Sequence, residues 1–190
     1  MTDTLTPGFA DPVADAQACF RAVLDALAHP GRIRPVPPVE APAPLCPAAA
    51  AVVLTLVDHE TPLWVDPAAA AASGWITFHT GAATGEQARA AFAFALTLPD
   101  LALLPAGSDE APENSATVIV QVQSLERGAR FELSGPGLRE SAPLAVEGLP
   151  TDFADRWAAN HALFPRGVDL LLCAGNQVAA LPRSVTVRNA

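Results

Sequence analysis

Four consecutive apolar residues, Leu170-Leu171-Leu172-Cys173, follow a loop that no helix can cross, and they restrict the fold more than any other feature. The loop is Phe164-Pro165-Arg166-Gly167-Val168-Asp169. Its proline and glycine end any preceding helix, so the run after it reads as a buried strand. Beyond it, Val178-Ala179-Ala180-Leu181 is a second apolar run, and Gly175-Asn176 between the two is a hairpin turn. Thr117–Val122 and Arg130–Ser134 alternate in the manner of strands, which predicts a neighbouring pair joined through Arg127-Gly128. Leu133-Ser134-Gly135-Pro136-Gly137-Leu138 reads as the tight exit from the second of these.

Helices punctuate the first half. Asp11-Pro12 is a helix start, with Asp as cap and Pro in the first turn. Phe20, Val23, Leu24 and Leu27 recur at helical spacing, so that face is expected to meet a core until His29-Pro30-Gly31 stops the helix. Arg32-Ile33-Arg34 is a short strand with both arginines on one face. The prolines from 35 to 47 make extended connecting chain, and Ala48–Val57 is a helix packed through alanines. Leu63–Val65, Trp75–Phe78 and Phe94–Leu96 read as strands, and Thr84-Gly85-Glu86 opens a helix through Phe92. Thr151 caps a helix to Leu163. Alternating elements followed by clustered strands predict a single layered α/β domain with a mixed sheet over residues 11–190, after a flexible N-terminus over 1–10.

Composition limits the chemistry. All eleven basic residues are arginine, so no lysine can form a Schiff base, bind phosphate in a Walker motif or act as a base. Tyrosine is absent as well. A formal charge of −9 argues against nucleic acid or an anionic membrane as a partner. Cys19, Cys46 and Cys173 are far apart in sequence and form no C-x-x-C, so they indicate neither a zinc site nor a redox pair and read as structural thiols. No signal peptide and no membrane span are legible, which predicts a cytoplasmic protein.

Few residues remain as candidates for binding. Asp58-His59-Glu60 sets a histidine between two carboxylates, able to hold a metal, but with Thr61-Pro62 next it reads more simply as a polar loop. His79, read at the end of a strand, stands where ligand groups sit in open α/β sheets. His29 suits a helix C-terminus, and His161 has no nucleophile to pair with. Gly135-Pro136-Gly137 lacks the donors of a phosphate loop. Arginine is left as the anion binder, because its fork donates two hydrogen bonds to a phosphate or phosphonate. Arg32, Arg34 and Arg183 are the candidates, with His79. No metal ligand, no cofactor site and no catalytic residue is assigned.

The order of these pieces carries a resemblance over residues 11–188. Asp15-Ala16-Gln17, Phe20-Arg21 and His29-Pro30-Gly31 come first. Leu54-Thr55-Leu56-Val57-Asp58, Thr61-Pro62-Leu63-Trp64 and Phe78-His79-Thr80 follow. Thr117–Val122, Leu133–Leu138, Phe164–Asp169 and Leu181-Pro182-Arg183 complete it. The chain resembles the PhnH family, the H subunits of the bacterial phosphonate carbon–phosphorus lyase system. The Pro-rich stretch around 35–47 and the acidic loop Ser108–Asn114 depart from the pattern.

The resemblance implies a fold like the large domain of pyridoxal-phosphate-dependent transferases, without the cofactor. It implies a homodimer in isolation and a multisubunit core made with the G, I and J subunits. There the G, H, I and L subunits couple a phosphonate to the ribose of a nucleoside triphosphate, and the J subunit cleaves the carbon–phosphorus bond. An accessory or structural subunit is therefore the expected role. The alternative is an enzyme or binding module with an arginine-lined site for a small phosphonate or phosphate.

Overall fold

The computed structural model describes residues 6–190. Its α-helices are α1 (Pro12–Ala28), α2 (Pro47–Leu56), α3 (Ser73–Thr80) and α4 (Phe153–His161). Its strands are β1 (Arg34–Pro35), β2 (Leu63–Val65), β3 (Phe92–Ala95), β4 (Thr117–Gln121), β5 (Ser124–Ser134), β6 (Ala142–Glu147), β7 (Asp169–Ala174), β8 (Gln177–Leu181) and β9 (Thr186–Asn189). A six-stranded mixed sheet runs in the order β1-β8-β7-β4-β3-β2, and a three-stranded antiparallel sheet in the order β6-β5-β9. Strands β2, β3, β4 and β7 are parallel to their neighbours in that group, whereas β8 returns antiparallel to β7 through Gly175-Asn176. This is an α/β fold with a mixed sheet.

Alternation along the central strands separates two cores. Ile119, Leu171 and Cys173 face α1, α2 and α3, while Val118, Val120, Leu170 and Leu172 face the small sheet and α4. Both faces of the central sheet are thus covered, which is why β7 is apolar without interruption. On the far side, Trp157 and Phe153 of α4 meet Phe131, Leu133 and Val187 of the small sheet.

Helix α1 begins as its sequence predicts. Asp11 Oδ1 accepts from the Ala14 N–H (3.1 Å), and the Asp11 N–H donates to Asp15 Oδ2 (3.0 Å). Half of the expected face meets the core, with Val23 buried and Leu27 packed against it, and the other half does not. Cys19, Ala22, Val23 and Ala26 are buried, whereas Phe20 is 51% and Leu24 55% exposed. The neighbour explains the choice: Ala48, Ala49, Ala50 and Ala51 of α2 are fully buried in the same core. Small side chains let two helices approach closely, and the larger stripe is left outside.

Three other elements also depart from expectation. Trp75–Phe78 is helical, within α3, despite its strand-like composition. Burial of the adjacent Trp75 and Ile76 on one side, with Phe78 out, suits a helix turn, and Gly81 at φ +72° ends it. Thr84–Phe92 holds only a single 3-10 turn, Gln87–Arg89, because the chain before it pairs with the outer edge of β2. There the Gly85 N–H donates to the Leu63 carbonyl (2.9 Å). Finally, β4 and β5 lie in different sheets, and Arg127-Gly128 sits within β5 at a break in its pairing with β6. The chain changes sheets at Val122-Gln123, whose N–H groups donate to Cys173 and Glu147 respectively.

Residues 1–5 of the stretch expected to be flexible lie outside the described residues. From Thr6 onward the chain is tied down: Gly8 bridges Glu40 and Phe9 is buried. Among the described residues no helix is long and apolar enough to cross a membrane.

Candidate functional site

The four residues singled out for ligand binding stand in three separate places. Arg32, just before β1, and Arg34, its first residue, converge on one acid of α1, Asp25. Arg32 Nη1 donates to Asp25 Oδ1 (2.9 Å) and Oδ2 (3.2 Å), and Arg34 Nε lies 3.3 Å from Oδ2. His29 Nδ1 is 3.1 Å from the same Oδ1. Both guanidinium groups stay half-exposed, so their outer donors face water. Partial desolvation pushes the Asp25 carboxyl up. The hydrogen bond from Arg32 and the charges of Arg32, Arg34 and His29 outweigh it and hold the carboxyl below its usual range.

A depressed folded-state value means that the contribution of Asp25 to stability is present above the ordinary aspartate pKa. It is lost as pH falls through the folded value. Asp25→Asn is therefore expected to lower the melting temperature at neutral pH, and the difference from wild type should shrink once pH drops below about 3.9. Thermal melts of both proteins from pH 7 to pH 2.5 check this; a difference that is constant with pH would contradict it.

His79 is at the end of α3 rather than of a strand, a direct consequence of the helical Trp75–Phe78. Its Nε2–H donates to the Thr6 carbonyl (2.9 Å), and its ring lies 4.5 Å from that of Trp75. Trp75 Nε1–H donates to the same carbonyl (3.1 Å). The pair fastens the N-terminal segment onto α3.

Arg183, after β8, is engaged on three sides. Its Nε and Nη2 donate to the two carboxylate oxygens of Asp169 at the start of β7, and its Nη1 donates to the Pro112 carbonyl (2.7 Å). The Arg183 N–H also donates to Asp169 Oδ1 (2.7 Å). The side chains are only 16% and 20% exposed, so the fork's anion partner is the protein's own carboxylate. Two glycines mark close backbone contacts elsewhere in the fold. Gly167, at φ +107°, passes so close to Asn160 that a Cβ would lie 2.9 Å from its carbonyl. Asn160 in turn donates to the Val168 carbonyl and accepts from its N–H. Gly137, at φ +85°, presses on the end of α1, where a Cβ would stand 2.4 Å from the Ala28 carbonyl. The two most distinctive sequence motifs are thus points of close backbone contact.

The carboxyl ends of parallel strands are where open α/β sheets collect ligands. Here that end is built over. The Cys46 N–H donates to Gln121 Oε1 (2.7 Å), Gln121 Nε2 donates to the Pro44 carbonyl (2.8 Å), and the Ala48 N–H donates to the Gly175 carbonyl (2.8 Å). The first amides of α2 are occupied by the protein's own acceptors. Gln121 escaped the sequence reading; its signal was a polar residue closing the apolar run of β4.

The remaining candidates follow the simpler readings. Asp58 accepts from Thr61 Oγ1 (2.6 Å) and the Glu60 N–H (2.9 Å), which makes 58–61 a hydrogen-bonded turn. His59 and Glu60 border an open cleft of about 430 Å³ with Thr84, Glu86 and Arg89. Among the described residues no group of three or more His, Cys, Asp or Glu side chains is placed to hold a metal ion. The cysteines are free thiols; burial pushes all three up, Cys173 furthest, with Cys46 and Cys19 adding to it. A raised thiol pKa disfavours the thiolate, so none has the environment of an activated nucleophile.

Comparison with known proteins agrees with the sequence motifs. The family model described as PhnH, bacterial phosphonate metabolism protein, matches residues 7–188. A protein of Rhizobium meliloti (strain 1021) named alpha-D-ribose 1-methylphosphonate 5-triphosphate synthase subunit PhnH is 44% identical over 183 residues, covering 93% of this chain and 92% of the relative. HtxG of Stutzerimonas stutzeri, named as a candidate C-P lyase subunit protein, is 33% identical over 172 residues, covering 90% of this chain and 85% of the relative.

Proposed function

Because the chain belongs to the PhnH family of bacterial phosphonate metabolism proteins, we propose that it is a subunit of the carbon–phosphorus lyase system. In that role it supports transfer of a phosphonate to the ribose of a nucleoside triphosphate. The observation that carries this reading is the near full-length identity to a relative named as a subunit of the triphosphate synthase. An accessory or structural part, with chemistry on other chains, fits the candidate residues, which are dispersed and turned toward internal partners. The same reading makes the protein cytoplasmic, folded as one domain over 11–190, and related to the large domain of pyridoxal-phosphate-dependent transferases without the cofactor.

Deletion of the gene is the direct test. Loss of growth on methylphosphonate as sole phosphorus source, with growth on phosphate intact and restored by the gene in trans, is the expected result. Unchanged growth on methylphosphonate would refute a required role.

The partners proposed are the G, I and J subunits in the complex and a second copy in isolation. Support for self-association comes from α1, whose exposed Val13, Phe20 and Leu24 form an apolar stripe next to Arg21. Light scattering of the isolated chain should give twice the monomer mass, and Phe20→Ser with Leu24→Ser should give a monomer.

The second reading, a module binding a small phosphonate or phosphate, is favoured by the pairing of two half-exposed arginines at Asp25. Titration with methylphosphonate and with inorganic phosphate tests it. Heat of binding lost in Arg34→Ala would support that module, and no heat with either anion would sink it.

A further inference from the structure

One backbone oxygen near the N-terminus has two side-chain donors. Trp75 Nε1–H (3.1 Å) and His79 Nε2–H (2.9 Å) both point at the Thr6 carbonyl, from consecutive turns of α3. Two N–H donors converging on one oxygen atom suit an oxyanion, and a neutral peptide carbonyl is a weaker acceptor for them. Packing within α3 sets the donors without help from that carbonyl. The Trp75 indole is buried, its ring lies 4.5 Å from that of His79, and Phe78 meets the His79 ring edge-on at 5.1 Å. Phe78 is itself 64% exposed, so an apolar surface stands beside the donors.

The segment that fills this place, Thr6–Phe9, is seated imperfectly. Thr6 Oγ1 is buried with no hydrogen-bond partner among the described residues, a cost that disappears once the hydroxyl meets water. Gly8 holds φ +76° and lies close against α2 and α3, where a Cβ would stand 3.3 Å from His79 Cε1 and 3.4 Å from Leu54 Cδ1. The segment's strand pairing is an isolated bridge from Gly8 to Glu40, and the side chain it lends to the core is Phe9.

We propose that Thr6–Phe9 is a displaceable cover, and that Trp75 and His79 beneath it bind a small oxyanion carrying an apolar group, such as an alkylphosphonate. The Thr6 carbonyl oxygen occupies the position of one ligand oxygen. Displacement exchanges a neutral acceptor for a charged one and frees the orphaned Thr6 hydroxyl, while the apolar group meets Phe78. The site uses none of the arginines at Asp25. The choice of a phosphonate rests on the subunit reading, whereas the two-donor geometry does not.

Calorimetric titration with methylphosphonate and amide hydrogen exchange, both on the full-length chain, test it together. Methylphosphonate should bind the wild type and raise exchange at the Gly8 and Phe9 amides, because a ligand that takes the donors releases the cover. Gly8→Val strains the left-handed backbone and crowds His79, so more of the protein is open and binding should tighten severalfold. In that opened background Trp75→Phe keeps a ring but removes one donor, and it should weaken binding roughly tenfold or more. Inorganic phosphate, with no apolar group, should bind more weakly than methylphosphonate. Binding with unchanged exchange at Gly8 and Phe9, or binding lost in Arg34→Ala and kept in Trp75→Phe, would overturn the proposal by putting the ligand elsewhere. No binding to wild type or Gly8→Val would overturn it too, as would phosphate binding as tightly as methylphosphonate. Should Gly8→Val fail to fold, exchange in the wild type with and without methylphosphonate decides. Gene deletion tests the subunit reading separately, so the failure of either leaves the other measurable.

Discussion

Replacing Trp157 by alanine is expected to cost about 4 kcal/mol, among the largest losses any single change in this chain can produce. The indole is completely buried and stacks near Phe153, which itself meets Phe131 of the small sheet edge-on. Its Nε1–H donates to the Val185 carbonyl (2.7 Å), just ahead of β9. Truncation leaves a cavity between α4 and the small sheet and strips a buried carbonyl of its donor. For a chain of this length the loss corresponds to a fall of about 10–15 °C in melting temperature. Trp157→Phe separates the two contributions: it keeps most of the ring and should lose only about 1–3 kcal/mol, chiefly from the orphaned carbonyl. Equal losses in the two variants would show that packing contributes little.

Asp169→Ala is expected to be nearly as damaging, at about 2–4 kcal/mol, because it leaves the Arg183 guanidinium largely buried with one carbonyl partner. The pair joins the start of β7 to the chain leaving β8 and, through Pro112, to the loop before β4. Asp169→Asn keeps the shape and removes the charge, so it should fall between wild type and alanine. The double variant Asp169→Ala/Arg183→Met removes both charges and should be more stable than Asp169→Ala alone. Denaturant melts of these four proteins and of Arg183→Met alone decide the matter. A double variant less stable than either single change would mean that the two residues act separately.

Much of the frame was legible because its signals are local. Asp11-Pro12 and Gly175-Asn176 are complete in a few residues, and α1 and the β7–β8 hairpin stand where those signals put them. The misses arose where distant packing decides. Two apolar stripes run along α1, and only the alanines of α2, more than twenty residues later, select the one with small side chains. Trp75–Phe78 has strand-forming residues, yet its burial against the helix layer makes it a helix. The candidate site was less legible than the fold. Arginine was the right residue type to examine, but its role depends on the acid that meets it. For Arg183 that acid is 14 residues away across a hairpin, and for Arg32 it is 7 residues back on α1. Leu163 was expected to close the last helix, but α4 stops at His161 and leaves Leu163 37% exposed, which nothing local marks.

Adenine release from ATP in the presence of methylphosphonate measures the central claim, that the chain supports a reaction carried out with other subunits. Three mixtures are needed: this chain alone, the G, I and L subunits without it, and all four together. Release by the full set, with none from this chain alone and a large drop when it is omitted, is the result expected. Steady release by the isolated chain, abolished by Arg34→Ala or Arg183→Ala, would contradict it and make the protein an enzyme in its own right.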